Sequence, residues 1–172
     1  MEAVMSARQI VSIAAVLGFG LVTLDASPLA RSTDVRCRTV TGNLVEEFDP
    51  ATNRTTGALK NAAWLDGTVE AVFNSDTFAT PDPNKVTFSS TMTIVTARGE
   101  LKGVGRTYLF DFVTGRGTDV TDIDPDASTG VFAGATGVLY TSLLKSVSVA
   151  TGPFYSAVVG RICFPRHGGH DR

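Results

Sequence analysis

From Val35 onward, apolar and polar residues alternate with a period of two. Val86, Phe88, Met92 and Ile94 interleave with Thr87, Ser89, Thr91 and Thr93. Tyr108, Phe110 and Phe112 form a second stripe, and Val69, Ala71 and Phe73 a third. Val138, Tyr140 and Leu144 make a fourth, and Phe154, Val158 and Ile162 a fifth. Alternation at this period predicts half-buried strands, not helices. Asp49-Pro50, Pro81-Asp82-Pro83-Asn84, Asp124-Pro125 and Gly152-Pro153 punctuate it as turns. Strands joined in sequence by short turns favour antiparallel meanders. The pattern therefore predicts an all-β fold of about eight antiparallel strands.

The segment before these strands has another character. Ile10 to Leu24 is apolar, interrupted only by Ser12 and Thr23, and Asp25 ends it. Its length suits the core of a signal peptide and is short for a spanning helix. Small residues in Ala26-Ser-Pro-Leu-Ala30 offer cleavage sites. The expected organisation is a signal peptide over 1–30 and a single domain over 31–172, secreted or held in the periplasm or cell envelope. An uncleaved anchor is the alternative.

Composition narrows the partners. Fifteen Lys and Arg against seventeen Asp and Glu give a net charge of −2 over 172 residues, so no basic field attracts nucleic acid. Hydrophobic residues at 43% and charged residues at 19% are those of a globular chain. Once the signal is cleaved, no membrane association is expected.

Cys37 and Cys163 lie near the two ends of the expected domain, and an exported chain can oxidise them. Cys37 has the opposite parity to Val40, Leu44 and Phe48, and Cys163 the opposite parity to Phe154, Val158 and Ile162. Both sulfurs are thus expected on the face away from the larger apolar stripes. A bond between first and last strands would staple a closed up-and-down barrel, which has no open edges. A sandwich with neighbouring terminal strands, or two free thiols, remains compatible with the same spacing.

Thr-Gly recurs at 41–42, 56–57, 114–115, 129–130, 136–137 and 151–152, which reads as turn chemistry in a sheet that must curl. One copy opens the most distinctive segment, Ser128-Thr-Gly-Val-Phe-Ala-Gly-Ala-Thr-Gly-Val-Leu139. It resembles the GTGxFxGAxG signature of allene oxide cyclases and dirigent proteins. Gly99-Glu-Leu-Lys-Gly103 and Tyr108-Leu-Phe110 resemble two paired strands of those families, and Gly160-Arg-Ile-Cys163 resembles their final strand. The chain is most similar to exported bacterial proteins with such a barrel. The resemblance implies an eight-stranded antiparallel β-barrel with a ligand-sized interior, and related barrels often form dimers or trimers. It does not imply an activity, because one fold hosts unrelated functions. Phe132, flanked at alternate positions by Gly130 and Gly134, is expected to pack beneath a bend in the strand, in a structural role.

Candidate pocket residues follow from parity. Glu46 shares the parity of Val40, Leu44 and Phe48 on the first strand. The plant cyclases use a first-strand Glu, but the motif around theirs is not recognisable here, so that role is not carried over. Arg106, Tyr108 and Tyr140 share parity with apolar stripes, and Glu46 is a possible partner for an inward Arg106. A bulge at Gly103 or Gly105 would flip Arg106 to the other face.

No metal site is expected. Asp122-Ile-Asp124-Pro-Asp126 begins like a calcium loop but has Ala127 and Ala133 where Gly and Glu are required. His167-Gly-Gly-His170-Asp171 sits in a tail. Asn53-Arg-Thr55 fits a glycosylation acceptor pattern. With no His before residue 167, a Ser-His triad is nearly excluded.

Three functions remain. The barrel binds a small apolar molecule, or acts as a cyclase or isomerase steering a reactive intermediate, or is a filled barrel serving as an envelope interaction module. None of these needs a cofactor.

Overall fold

The computed structural model describes residues 35–74, 78–148 and 150–165, and the side chains of these except at 78, 79, 107 and 108. The predicted signal peptide and the His167–His170 tail lie outside the described residues. Nine strands form one sheet: β1 (Val35–Asp49), β2 (Arg54–Lys60), β3 (Gly67–Phe73), β4 (Phe78–Ala79), β5 (Lys85–Thr96), β6 (Gly99–Asp111), β7 (Arg116–Ile123), β8 (Thr136–Ser146) and β9 (Phe154–Pro165). Every pairing is antiparallel, and neighbours in sequence pair in space apart from the two-residue β4, which only extends the sheet beside β5. β3 pairs with β5, and β1 pairs with β9 from Val35↔Pro165 to Glu46↔Phe154. Those contacts close an eight-stranded up-and-down barrel: strand number and antiparallel order follow the alternating pattern, and closure is the arrangement that the terminal cysteines favoured over a sandwich.

Closure places Cys37 directly opposite Cys163, with a Cα–Cα distance of 3.9 Å and a disulfide between them. The inward residues beside them are Val40 and Ile162, both buried. The bond therefore lies on the outer wall.

The interior is divided along its axis. The half near the N-terminus of β1 is packed solid by Val40, Leu59, Ile94, Leu101, Leu139 and Ile162. Two short 3-10 turns seal it. Ala63–Leu65, between β2 and β3, buries Leu65, and Gly130–Phe132, between β7 and β8, buries Phe132 completely. Trp64 packs on Phe132 and Phe164 with ring centroids 6.3 and 5.6 Å apart, and Arg38 covers the outer side of its indole at 5.0 Å.

The segment around Phe132 is thus a plug, not the bent strand expected from its alternating glycines. Gly130 and Gly134 adopt φ of +62° and +73°, conformations that break an extended run. The loop is fastened to the β6 edge. Thr129 N–H donates to Glu100 O at 2.8 Å, Val131 N–H donates to Arg98 O at 3.0 Å, and Lys102 N–H donates to Ser128 Oγ at 3.0 Å. The neighbouring Asp124 carboxylate is spent on the turn, accepting from the N–H groups of Asp126 and Ala127 at 2.9 and 3.1 Å.

Phe132→Ala is expected to destabilise by roughly 3–5 kcal/mol, the cost of emptying a buried ring site, while Gly134→Val strains the left-handed backbone; chemical denaturation of both variants measures this. Cys37→Ala is expected to lower the melting temperature and leave the β-type circular dichroism intact. The bond closes a separation of 126 residues, for which chain entropy gives about 4–5 kcal/mol.

Candidate functional site

The other half of the barrel is not filled. At the end formed by the C-terminus of β1 and the N-terminus of β9 lies a cavity of about 310 Å³. Six phenylalanines line it. Phe48, Phe73 and Phe88 form one aromatic run, with centroids 5.7 and 4.9 Å apart. Phe110 stands edge-on to Phe112 at 5.1 Å and to Phe154 at 6.4 Å. Leu44, Ala71, Val86, Met92 and Leu143 complete the apolar lining. Asn53, Asn74 and Phe112 are exposed at the rim. Asn53 holds a turn at φ +53° and donates from its amide to Phe73 O at 2.8 Å, which ties the β1–β2 loop to β3.

Polar groups occur deeper, on alternate inward positions. Glu46 on β1 accepts a hydrogen bond from Thr55 Oγ1 at 2.9 Å. Asp119 on β7 accepts from Thr121 Oγ1 at 2.9 Å. Ser90, Thr141 and Ser156 add hydroxyls. Each acid has a glycine beside it on a neighbouring strand. Gly57 lies opposite Glu46, and a Cβ there would lie 2.8 Å from Glu46 Cγ. A Cβ on Gly105 would lie 3.2 Å from both Asp119 carboxylate oxygens and would collide with Ser90 Oγ. The missing side chains make the space that the carboxylates use.

Burial pushes the Glu46 carboxyl up from its ordinary 4.5 to about 7, partly offset by the Thr55 hydrogen bond and reinforced by the charge of Asp119. This acid sits near the midpoint of its titration at neutral pH and can hold or release a proton there.

The four predicted pocket residues separate. Glu46 lines the cavity. Arg106 is exposed on the outer wall, so it is not Glu46's partner. The β6 register shifts between Thr107 and Leu109, which puts Arg106 on the opposite face from Phe110. Tyr108 lies within that shift, and its side chain is outside the described residues. Tyr140 is 51% exposed on the outer wall. On β8 the inward line is Leu139, Thr141 and Leu143, not the predicted Val138, Tyr140 and Leu144. Asp119 was legible only weakly: Asp119, Thr121 and Ile123 share one parity, and Ile123 is the sole apolar residue marking that line as inward.

Fold and site together define a small closed β-barrel with a half-filled interior and an acid-bearing aromatic cavity. The chain matches no protein-family profile, no curated protein and no solved structure.

Folding stability carries the signature of Glu46. Between about pH 4.5 and 7 the folded chain holds a proton that the unfolded chain has released, so stability falls as pH rises through that window. Asp49, Asp82 and Asp111 act elsewhere. Hydrogen bonds, chiefly from Thr52, Asn84 and Thr114 respectively, hold them below 3.8, and their contribution is lost only as pH falls further. Glu46→Gln is expected to flatten the decline between pH 5 and 8, recovering at most about 3 kcal/mol at pH 8. Melting curves of both proteins across this range measure it.

Proposed function

We propose that this protein is an exported barrel that binds a small, largely apolar molecule in its open half, within an allene-oxide-cyclase-like fold. The observation that carries the reading is the 310 Å³ cavity walled by phenylalanine. Apolar pockets of about this size with a few convergent polar groups suit small-molecule binding. A barrel filled throughout, as an interaction module requires, fits this interior less well. The Cys37–Cys163 bond supports an oxidising compartment, and with it a secreted, periplasmic or envelope location.

A second reading, a cofactor-free cyclase or isomerase, is favoured by one observation: Glu46 is poised to exchange a proton near pH 7. Such an enzyme would hold one conformer of a reactive intermediate and exclude water, with Glu46 giving or taking the proton.

Native mass spectrometry of protein purified from its source is expected to show a retained small molecule. A neutral naphthalene-based fluorescent probe is expected to bind with 1:1 stoichiometry. Leu143→Trp, which fills the cavity, is expected to weaken the probe by about tenfold or more, since the steric cost of overpacking is about 1–3 kcal/mol. Equal probe binding by this variant would place the probe elsewhere and sink the reading. Conversion of the retained compound by wild type, lost in Glu46→Gln, would select the enzyme over the binder.

A further inference from the structure

Resting on that reading, the geometry points to an organic ammonium ion with an apolar body as the ligand: the amine settles between Glu46 and Asp119, and the body lies among the phenylalanine rings.

The charges of the cavity carry this. Its described lining residues include two carboxylates and no Lys, Arg or His. The two acids stand on β1 and β7, three strands apart around a ring of eight, and both face inward. Of the cations on the cavity's strands, Lys85 is engaged with Asp82 at 3.0 Å, and Arg106, Arg116 and Lys145 are exposed. Arg54 is engaged with Glu70 at 3.1 Å, both on the outward parity of β2 and β3. The Thr55 bond occupies one oxygen of Glu46 and leaves the other for a ligand.

Each ligand class meets this arrangement differently. A carboxylate would bring a further negative charge beside two acids in an apolar cavity, which Coulomb repulsion and desolvation both oppose. A neutral alcohol could hydrogen-bond one acid but would neutralise neither. An ammonium supplies the opposite charge and donors for both acids. The rings add a further preference, because aromatic faces attract cations. A side chain at Gly57 would meet Glu46, and one at Gly105 would meet Asp119, so neither position covers its acid.

Proton linkage gives the proposal its signature. Beside Glu46 stand Thr55 and Gly57 from β2 and Phe154 from β9, and the charge of Asp119 on β7 reaches it. Ser90 and Met92 from β5 line the same cavity. Among these described residues Asp119 is the titratable one. Bound beside a cation, Glu46 ionises and its proton leaves for solvent. Amine affinity therefore rises as pH rises through the range in which Glu46 titrates.

The test uses 1-naphthylmethylamine, 1-naphthalenemethanol and 1-naphthoate, which share one ring system, in calorimetric titrations of the disulfide-bonded protein. At pH 8 the amine is expected to bind about tenfold tighter than the alcohol, and the naphthoate weakest, the scale of one charge-assisted hydrogen bond. Between pH 6 and 8 the amine's affinity is expected to rise about tenfold while the alcohol's does not rise. Titration in buffers of different ionisation enthalpy is expected to show release of about half a proton at pH 7. Glu46→Gln, with its fold checked by circular dichroism, is expected to abolish that release and to narrow the amine-to-alcohol ratio. An alcohol that matches the amine at pH 8, or an amine that binds with no proton release, overturns the ammonium assignment and leaves the apolar cavity standing. Failure of all three compounds to bind overturns the cavity reading itself.

Discussion

The pairing of the first strand with the last is the constraint on which everything else here depends. Without β1 against β9 the sheet would have two long edges and no interior. With it, every inward position of eight strands faces a common axis, and alternation along each strand becomes a choice between core and solvent. This pairing is also the most distant in sequence. It therefore carries the largest loop-closure entropy in the fold, which is where a covalent link between Cys37 and Cys163 has most to offset.

Closure alone does not make a binding site, since a barrel of this size can fill with its own side chains. What keeps one half open is the distribution of residue sizes. Towards the plugged end the inward positions are branched aliphatics, capped by Phe132 and Leu65 from the two sealing turns. Towards the mouth the rings lean against one another around the wall, and glycine, serine and threonine occupy the positions between them. The carboxylates sit at the boundary of these regimes. Holding Glu46 there raises its proton affinity and costs stability above neutral pH.

How much of this was legible from sequence differs between elements. β3, β5 and β9 were read with the correct face, because each carries most of its large apolar residues on one parity, with Val72, Val95, Tyr155 and Val159 on the other. β8 was read on the wrong face. Val138 and Tyr140 on one side compete with Leu139 and Leu143 on the other, and hydrophobicity alone cannot rank them. On β6, the parity argument failed for Arg106 at a single register shift, which no local residue type announces. The Phe132 segment was recognised as structural, but its left-handed glycines made it a turn. Asp119 stayed hidden because a polar residue on an inward line looks, in sequence, like any residue on an outward one. Its significance exists only once closure brings β7 across from β1.

The disulfide and both sealing turns lie at the same end of the barrel. The fold is consequently a vessel with a stiff base and a compliant lip. At the base, a covalent bond, a buried aromatic cluster and the hydrogen bonds of the plug must all yield together before any strand separates. At the lip, strands are held by backbone pairing, by ring contacts and by turns such as the one Asn53 ties to β3. Opening the lip therefore breaks fewer contacts than separating strands at the base, where the register is kept.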